Sequence, residues 1–354
     1  MTIIIFIIVL AILILVHEFG HFIIAKRAGL VVEEFGFGFP PRIFSFKKGD
    51  TIYSINLLPL GGFVKILGED GKEGQSSKSF ASKKPGVKSL ITVAGPLMNF
   101  LLATALLTIG YNIGLPTAID ETNAAQARDI GIQIIAISPS SPAEKAGLIL
   151  GDQIVKFDAM ELKEISSLQE YIKKEADKTI RLTVNRSGEL KELDVLARKE
   201  PPKGEGAMGV VLAKVGIVSY PWYESIWRGI KSAFVVTWEI IRGLAGLLKN
   251  LLFAGKIPKE ISGPVGIAVL TRQATDLGTI YLLQLIAIIS LNLAVLNLMP
   301  FPALDGGRIV FFGIEKLKGS RVSPKIENAV NAAGFVLLIA LVLLITYRDI
   351  LRLR

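Results

Sequence analysis

The chain has 354 residues, and its apolar share, counted with Gly and without Tyr, is about 59%, above the roughly 45–50% of soluble domains, which disfavours an ordinary soluble enzyme. The net charge is +9, but no basic block with interleaved aromatic residues is present, so the excess Lys and Arg favours membrane flanks over nucleic-acid binding. The absence of Cys excludes disulfides, thiolate metal sites and cysteine nucleophiles.

Four stretches are long and apolar enough to cross a bilayer. Residues 1–25 hold one charged residue, Glu18, and residues 89–119, 277–304 and 328–347 hold none. About 20 apolar residues in a helix span a ~30 Å hydrocarbon core, so the sequence predicts four transmembrane helices. A cleaved secretory signal is the alternative for the first stretch, but no basic start and no small-residue cleavage site support it.

The connection of residues 26–88 carries eleven Lys and Arg against six acidic residues. The positive-inside tendency places it in the cytoplasm and places the residues between the second and third spans outside. Within it, Thr51 to Ile66 (TIYSINLLPLGGFVKI) combines β-forming residues with a Pro-Leu-Gly-Gly break. This pattern predicts a hairpin or looped sheet that touches or re-enters the membrane, and a merely peripheral hairpin is the open alternative.

A soluble module follows the second span, after a linker predicted at residues 114–130. Charges of both signs are interspersed over residues 131–198, as on a small soluble domain. The predicted strands are 132–137, 180–185 and 192–197, around a polar helix at 166–175.

The residues after the module, 214–276, combine three Trp with basic residues and apolar residues at helical spacing. This composition predicts one or two helices lying in the interface plane of the membrane. A fifth span is the alternative, and Glu239 and Arg242 in its middle argue against it.

The two histidines of the chain fall four residues apart as HEFGH, with Glu18 between His17 and His21. On a helix, positions i and i+4 share a face, so both imidazoles can meet one metal ion beside the carboxylate. Neutral imidazole suits Zn²⁺, and a neighbouring Glu suits the general base of metal-assisted amide hydrolysis. A structural or transport metal site is the alternative, although it would leave Glu18 without a role.

A third ligand has to come from elsewhere, because no further His and no Cys exist. Asp305 is the leading candidate, since it ends the uncharged run 277–304 among prolines and glycines that break the helix. A helix cap at the membrane boundary is the alternative for this residue.

The segment Ser138 to Ala159 (SPSSPAEKAGLILGDQIVKFDA) resembles the bacterial PDZ signature, and the resemblance extends over residues 131–213. It implies a groove in which a peptide C-terminus adds as a strand. In the circularly permuted arrangement, the groove residues would be Gly206, Met208, Gly209 and Val210. A size filter that binds no peptide is the alternative.

HEFGH, AGPLMNF (Ala94 to Phe100), the PDZ-like insert and NLMPFPALDGG (Asn297 to Gly307) occur in this order. Together they resemble the site-2 proteases, which are intramembrane zinc metalloproteases, and among them the bacterial members with extracytoplasmic PDZ domains. The resemblance implies Zn²⁺ held by His17, His21 and Asp305, with Glu18 as the base. One departure is the single PDZ unit, where other members carry two.

The same resemblance implies roles for further residues. Gly95, Pro96 and Asn99 would pack the second span against the catalytic pair. The implied substrate contacts are Asn297, Pro300, Pro302, Ile55, Gly61 and Gly62, with the hairpin presenting an edge to the substrate. Asn297 is also a candidate to stabilise the oxyanion beside the metal.

The sequence therefore predicts a mainly α membrane protein with four transmembrane helices, a membrane-associated β-hairpin region and an inserted extracytoplasmic α+β PDZ domain. The resemblance implies a protease of the bacterial inner (plasma) membrane. Its expected partners are the lipid bilayer, single-pass substrates trimmed by an earlier cut (anti-sigma factors or remnant signal peptides) and a peptide C-terminus in the groove. A metal-binding membrane adaptor without catalysis is the alternative. The predicted segments are 1–25, 26–88, 89–113, 114–130, 131–213, 214–276, 277–327 and 328–354.

Overall fold

The computed structural model describes residues 2–69, 76–202, 204–254 and 263–352. Its helices are α1 (Thr2–Arg27), α2 (Pro85–Ile113), α3 (Pro142–Lys145), α4 (Ile165–Lys174), α5 (Trp222–Ala254), α6 (Pro264–Leu277), α7 (Thr279–Leu298), α8 (Asp305–Lys318) and α9 (Pro324–Arg352). Its strands are β1 (Val32–Lys48), β2 (Thr51–Ile66), β3 (Leu115–Ala118), β4 (Ala127–Ile137), β5 (Gln153–Phe157), β6 (Met160–Glu161), β7 (Thr179–Arg186), β8 (Glu189–Leu196) and β9 (Val210–Val218). Parts of the predicted cytoplasmic connection (70–75) and of the predicted juxtamembrane helices (255–262) lie outside the described residues.

Four of these helices, α1, α2, α7 and α9, are long and apolar enough to cross a membrane. Each overlaps one of the predicted apolar stretches, which confirms four helices of this kind in a mixed helix and sheet fold. Helix α2 is the most enclosed, with 44% of its most apolar window buried, against 6% for α9. The apolar side chains of α9 are therefore free to face lipid.

The chain forms two compact units. The first comprises Met1–Leu106, Lys231–Ala245 and Ile286–Leu344, and the second comprises Leu107–Ile230, Gly246–Leu285 and Ile345–Arg354. All residues of HEFGH and LDGG belong to the first unit.

Strands β1 and β2 of the first unit form a sheet that is wider than the predicted hairpin. Residues 34–37 of β1 lie between the two halves of β2, because Glu34 is opposite both Ile52 and Lys65. The other side of 52–55 pairs with residues 44–47, and Phe44 lies opposite Ile55. A hairpin within 51–66 would require the two halves of β2 to pair with each other, and they do not. The segment 62–66 lies at one edge of this sheet.

Helices α1 and α2 approach closely through small residues. A Cβ atom added to Gly20 of α1 would lie 2.7 Å from the carbonyl carbon of Ala94 and 2.8 Å from Cγ of Met98 on α2. Real Cβ atoms do not tolerate such distances, so only glycine at position 20 permits this contact. The close approach brings the backbone of α2 next to the histidine face of α1.

The turn from α7 to α8 is compact because it is rich in Pro and Gly. A Cβ atom at Gly306 would lie 2.5 Å from the carbonyl carbon of Leu298, and one at Gly307 would lie 2.9 Å from that of Phe301. Ala303 adopts a left-handed conformation with φ 72°, and Leu304 caps α8 without a side-chain hydrogen bond. Asp305 is thus the first residue of α8 rather than its cap, which leaves its carboxylate free for another partner.

A buried ion pair joins α2 to α8 in the first unit. Nζ of Lys88 lies 3.1 Å from Oε2 of Glu315, and the two side chains are only 6% and 8% exposed. Removal of one partner from such a buried pair typically costs about 3–5 kcal/mol, because the other charge is left without compensation. The pair therefore ties the beginning of α2 to the helix that starts with Asp305.

The second unit contains an antiparallel sheet in the order β3-β9-β4-β5-β7-β8, with β6 paired to β5. Its core gathers the inward-facing side chains of the strands with Leu168 of α4, which is fully buried. The three predicted strands correspond to β4, β7 and β8, and the predicted helix corresponds to α4. The predicted linker 114–130 is not a linker, because it supplies β3 and the first residues of β4, and the sheet extends to Val218.

The residues after the sheet start with a helix that turns back along α2. Tyr220 donates its backbone N–H to the carbonyl of Tyr111 at the end of α2. A Cβ atom at Gly229 would lie 2.8 Å from the backbone N of Thr108, and the Phe234 ring lies 5.0 Å from that of Phe100. Helix α5 therefore packs along α2 over its first half, whereas the predicted interface position of these residues stays a prediction.

Candidate metal centre

The two histidines of α1 point at one spot. Their Nε2 atoms lie 3.2 Å apart, and their rings meet edge to face. The side chains of His17 and His21 are 12% and 13% exposed. The helical spacing of four residues produces this juxtaposition, as the sequence predicted.

Asp305 joins them from the beginning of α8. Its Oδ2 atom lies 3.1 Å from Nε2 of His17 and 3.3 Å from Nε2 of His21. Burial alone would raise the pKa of Asp305, but the two histidines hold it well below its usual range, so the group is an anionic carboxylate. Oδ2 is buried and makes no hydrogen bond of good geometry among the described residues. Such an atom is positioned to bind a cation.

The spacing of the three atoms fits zinc. With zinc-ligand bonds of about 2.0–2.1 Å, tetrahedral coordination places neighbouring ligand atoms roughly 3.3 Å apart. The observed separations are 3.1, 3.2 and 3.3 Å. Two imidazoles and one carboxylate are also the ligand set of a class of catalytic zinc sites that keep the fourth position open. His17, His21 and Asp305 therefore fit Zn²⁺.

Helix α2 supports both rings from behind. Nδ1 of His21 lies 2.8 Å from the carbonyl oxygen of Ile91, to which it donates when protonated there. Nδ1 of His17 lies 3.4 Å from Nδ2 of Asn99, which is fully buried. Partners on Nδ1 fix the direction of Nε2, so α2 helps aim the candidate ligand atoms.

Gly95 lets the rings lie directly on α2. A Cβ atom at this position would be 2.7 Å from Cε1 of His21 and 2.8 Å from Cε1 of His17. Pro96 follows inside the helix and has no N–H to donate to the carbonyl of Thr92. Thr92 lines a cavity next to the three candidate ligands. The AGP sequence therefore creates the space for the rings and leaves the carbonyl of Thr92 without its usual partner within the helix.

A cavity of about 210 Å³ adjoins the cluster. Glu18 lines it together with the three candidate ligands and with residues of the 62–66 segment. A Cβ atom at Gly62 would lie 3.1 Å from Cγ of Glu18, so the glycine permits the edge of the sheet to approach the carboxylate. The cavity can hold a few water molecules or one peptide unit beside a carboxylate base.

Arg308 supplies positive charge to this cavity. It lies one helical turn after Asp305 and forms an ion pair with Glu69, which also lines the cavity. Burial alone would lower the pKa of Arg308, but Glu69 raises it overall, so the guanidinium stays charged. Both residues also line a second cavity of about 290 Å³, so the ion pair borders two cavities.

The six predicted substrate contacts separate in the structure. Gly62 lines the cavity, whereas Gly61, Asn297 and the two prolines are not among its described lining residues. Pro300 is exposed, and Pro302 packs against Gly334 of α9. Ile55 does not lie at a free edge, because it pairs with Phe37 on one side and Phe44 on the other. The edge beside the cavity is the segment 62–66.

The predicted peptide groove differs at Met208, whose side chain is 2% exposed inside the core of the sheet rather than lining a groove. The N–H of Gly209 donates to the carbonyl of Gly206 at 3.0 Å, so this amide is engaged within the loop. Val210 begins β9 and pairs with Ile137 of β4. On the other side of β9, pairing with β3 starts only at Val215.

Comparison of the chain with known protein families gives a match to peptidase family M50 over residues 5–341. The chain belongs to peptidase family M50. This membership confirms the resemblance drawn from HEFGH, AGPLMNF and NLMPFPALDGG. The match covers the whole candidate centre.

Individual M50 relatives are similar along almost the entire chain. A provisionally named zinc metalloprotease of Clostridium perfringens is 34% identical over 341 residues, which cover 96% of this chain and 95% of the relative. Zinc metalloprotease RasP of Geobacillus kaustophilus is 30% identical over 433 residues, with coverage of 99% and 97%. The PDZ domain of an SdrC-like protein from Listeria innocua has 19% identity and a TM-score of 0.21, covering 23% of this chain and 92% of its own.

Sequence reasoning missed Arg308 and Glu69 in this M50 site, and it predicted a substrate-facing edge in 51–66, with Gly62, but did not locate it at 62–66. Arg308 had a readable signal, because position i+3 from Asp305 shares a face of α8. Glu69 had none, and nor had the exact position of the edge, since both depend on how β1 folds between the halves of β2.

Substitution of Gly95 by Ala tests how closely the rings lie on α2. The added methyl would displace both imidazoles, so we expect zinc affinity to fall at least about 10-fold. Gly86→Ala is the matched control, because it lies in the same helix with open space around it. Metal content after dialysis against a graded chelator measures both variants. Equal zinc retention in the two would contradict the arrangement.

Proposed function

We propose that this M50 peptidase is a zinc-dependent endopeptidase that hydrolyses peptide bonds within the transmembrane segments of single-pass proteins. The observation that carries the proposal is the convergence of His17, His21 and Asp305 to within 3.3 Å. Both histidines and Glu18 belong to α1, a helix long and apolar enough to span a bilayer. An ionisable cluster in such a helix is costly and therefore points to function. The zinc metalloprotease names of its relatives support the same chemistry.

Zinc at this site would polarise the scissile carbonyl and lower the pKa of the attacking water. Glu18 shares the cavity with the ligands and is the carboxylate assigned to accept the proton of that water and to deliver it to the leaving amine. The second helix would keep the two imidazoles in position while the substrate enters from the cavity side.

Glu18→Gln separates catalysis from metal binding. The amide preserves size but accepts no proton, so we expect kcat to fall about 10²–10⁴-fold while zinc stays bound. The measurement is cleavage of a model transmembrane peptide by the detergent-solubilised protein, with mass spectrometry to locate the cut and metal analysis in parallel. Glu239→Gln, an exposed position on α5, is the control. Unchanged cleavage by Glu18→Gln would exclude this mechanism, and no cleavage by the wild type would favour the adaptor.

The oxyanion of the tetrahedral intermediate needs positive charge or hydrogen-bond donors besides the metal. We assign this role to Arg308 rather than to Asn297, because Arg308 is the one cationic residue among the described residues that line the cavity. Its ion pair with Glu69 uses one arm of the guanidinium, and the guanidinium has five N–H donors in all.

Arg308→Gln should lower kcat about 10²–10³-fold, the usual loss for one oxyanion donor, and Arg308→Lys should retain part of the activity. Arg321→Gln is the matched control, because Arg321 lines the 290 Å³ cavity but not the catalytic one. Glu69→Gln breaks the same ion pair and leaves the cation in place. If Glu69→Gln and Arg308→Gln reduce kcat equally, Arg308 acts only through the ion pair.

An unwound substrate needs hydrogen-bond partners for the backbone groups that its helix releases. We assign this function to the 62–66 segment, which lies at an edge of the sheet and lines the catalytic cavity. In the part of the chain that the structure describes, no strand pairs with its outer side. A substrate could therefore add there as a strand.

Proline at positions 63 and 64 tests this docking edge. Successive N–H groups along a strand point to opposite sides, so one substitution removes a bond to β1 and the other removes only the outward N–H. We expect the variant that loses the bond to β1 to lose thermal stability. The variant that loses only the outward N–H should keep its melting temperature and its zinc but lose at least about 10-fold in turnover. Normal turnover by a variant with normal stability would exclude docking at this edge.

We place the protein in the inner (plasma) membrane of a bacterium, with residues 26–88 cytoplasmic and the sheet of the second unit extracytoplasmic, because basic residues are concentrated in that first connection.

The sheet is assigned as a PDZ module that admits substrates already trimmed outside, such as anti-sigma factors or remnant signal peptides. In the cleavage assay, a trimmed substrate should be cut faster than the full-length one. If the intact protein and a variant that lacks 131–213 both cut the trimmed and the full-length substrate at equal rates, the module is not a filter.

A further inference from the structure

Asn99 is a buried polar side chain next to a candidate zinc ligand, and one atom of its amide has no hydrogen-bond partner in the part of the chain that the structure describes. The residue is fully buried in α2, and its Nδ2 atom lies 3.4 Å from Nδ1 of His17. Its Oδ1 atom has no hydrogen-bond partner among the described residues. A buried acceptor without a partner costs about 1–3 kcal/mol, which calls for a function.

The backbone of Asn99 is held firmly at the same time. Ser290 of α7 donates its hydroxyl to the carbonyl oxygen of Asn99 at 2.7 Å, and both residues are fully buried. The amide group is therefore attached to a fixed point between α1 and α7. Its remaining freedom is rotation about its own side chain.

The two candidate histidine ligands differ in how their Nδ1 atoms are supported. A neutral imidazole that binds a metal through Nε2 carries its proton on Nδ1 and needs an acceptor there. His21 has one in the backbone carbonyl of Ile91, 2.8 Å away, which no side-chain substitution removes. For Nδ1 of His17, the amide of Asn99 is the one partner among the described residues.

We infer that Asn99 is a positioning residue for zinc, whose Oδ1 atom accepts a hydrogen bond from Nδ1–H of His17 when the metal is bound. This inference rests on the zinc site proposed above. A half-turn of the amide exchanges Oδ1 and Nδ2, which have nearly the same size, so the backbone need not move. The same side chain can then face His17 as a donor without metal and as an acceptor with metal.

The two histidine ligands are therefore supported by chemically different hydrogen-bond partners. The support of His21 is built into the backbone, whereas that of His17 depends on one replaceable side chain. Loss of a hydrogen-bond partner behind a metal ligand typically lowers metal affinity 10–100-fold. Variants at position 99 should therefore change zinc affinity according to whether they retain an acceptor.

The experiment compares Asn99→Leu and Asn99→Asp in the full-length protein in detergent. Leu has the same branched arrangement of side-chain heavy atoms but no acceptor, so we expect zinc affinity to fall 10–100-fold in competition with a chromophoric chelator. Asp keeps an acceptor oxygen toward His17, so we expect affinity at or above that of the wild type. Ser290→Ala is the control, because it removes the hydroxyl from the Asn99 carbonyl and leaves the amide in place.

Two results would overturn the inference. One is unchanged zinc affinity in Asn99→Leu, and the other is an equal loss in the Leu and Asp variants, which would indicate a packing role. His17→Ala in the same titration tests the underlying site, and it should abolish tight zinc binding. If His17→Ala binds zinc like the wild type, the proposed ligand set is wrong, and that failure is distinct from a failure at Asn99.

Discussion

The first unit depends on one constraint, the convergence of two imidazoles and a carboxylate around a single point next to apolar helices. These groups come from positions 17, 21 and 305, so the distance along the chain is large while the distance in space is about 3 Å. Polar groups at such a place are costly unless they find partners. Each nearby irregularity of the sequence serves that requirement: Gly20 and Gly95 let α1 and α2 approach, and the paired glycines 306 and 307 let the chain turn abruptly into α8.

Charge around the centre is arranged in pairs that connect different parts of the chain. Lys88 binds Glu315, and Arg308 binds Glu69, so the beginning of α2, the end of the first sheet and the whole length of α8 are connected. The helix that begins with Asp305 is therefore fixed near its beginning and near its end. Because a zinc ligand has to stay within a few tenths of an ångström, such anchoring is as important as the ligands themselves.

Much of this could be read from the sequence. The four apolar helices follow from length and missing charge alone, and the candidate ligands follow from HEFGH and from the position of Asp305 after an uncharged run. The order of the first sheet could not be read, because a Pro-Leu-Gly-Gly break predicts a turn but not that residues 34–37 insert between the two halves of β2. Ile55 was therefore assigned to an edge that in the structure belongs to 62–66.

The boundary of the second unit shows a similar limit. Residues 115–118 are too short and too close to the second span to give a strand signal, yet they pair with the last residues of β9. Long-range pairing decides such a segment, and local pattern does not. Met208 shows the opposite case, since a loop resembling a groove motif directs its one large side chain into the core.

The distribution of the candidate ligands along the chain also bears on how the protein is made. During synthesis, the two histidines emerge first, and the carboxylate follows 284 residues after His21. A nascent chain that lacks α8 thus holds two of the three ligands and lacks Arg308 as well. Hydrolytic competence would therefore arise only once α8 has been synthesised and has brought Asp305 to the histidines of α1.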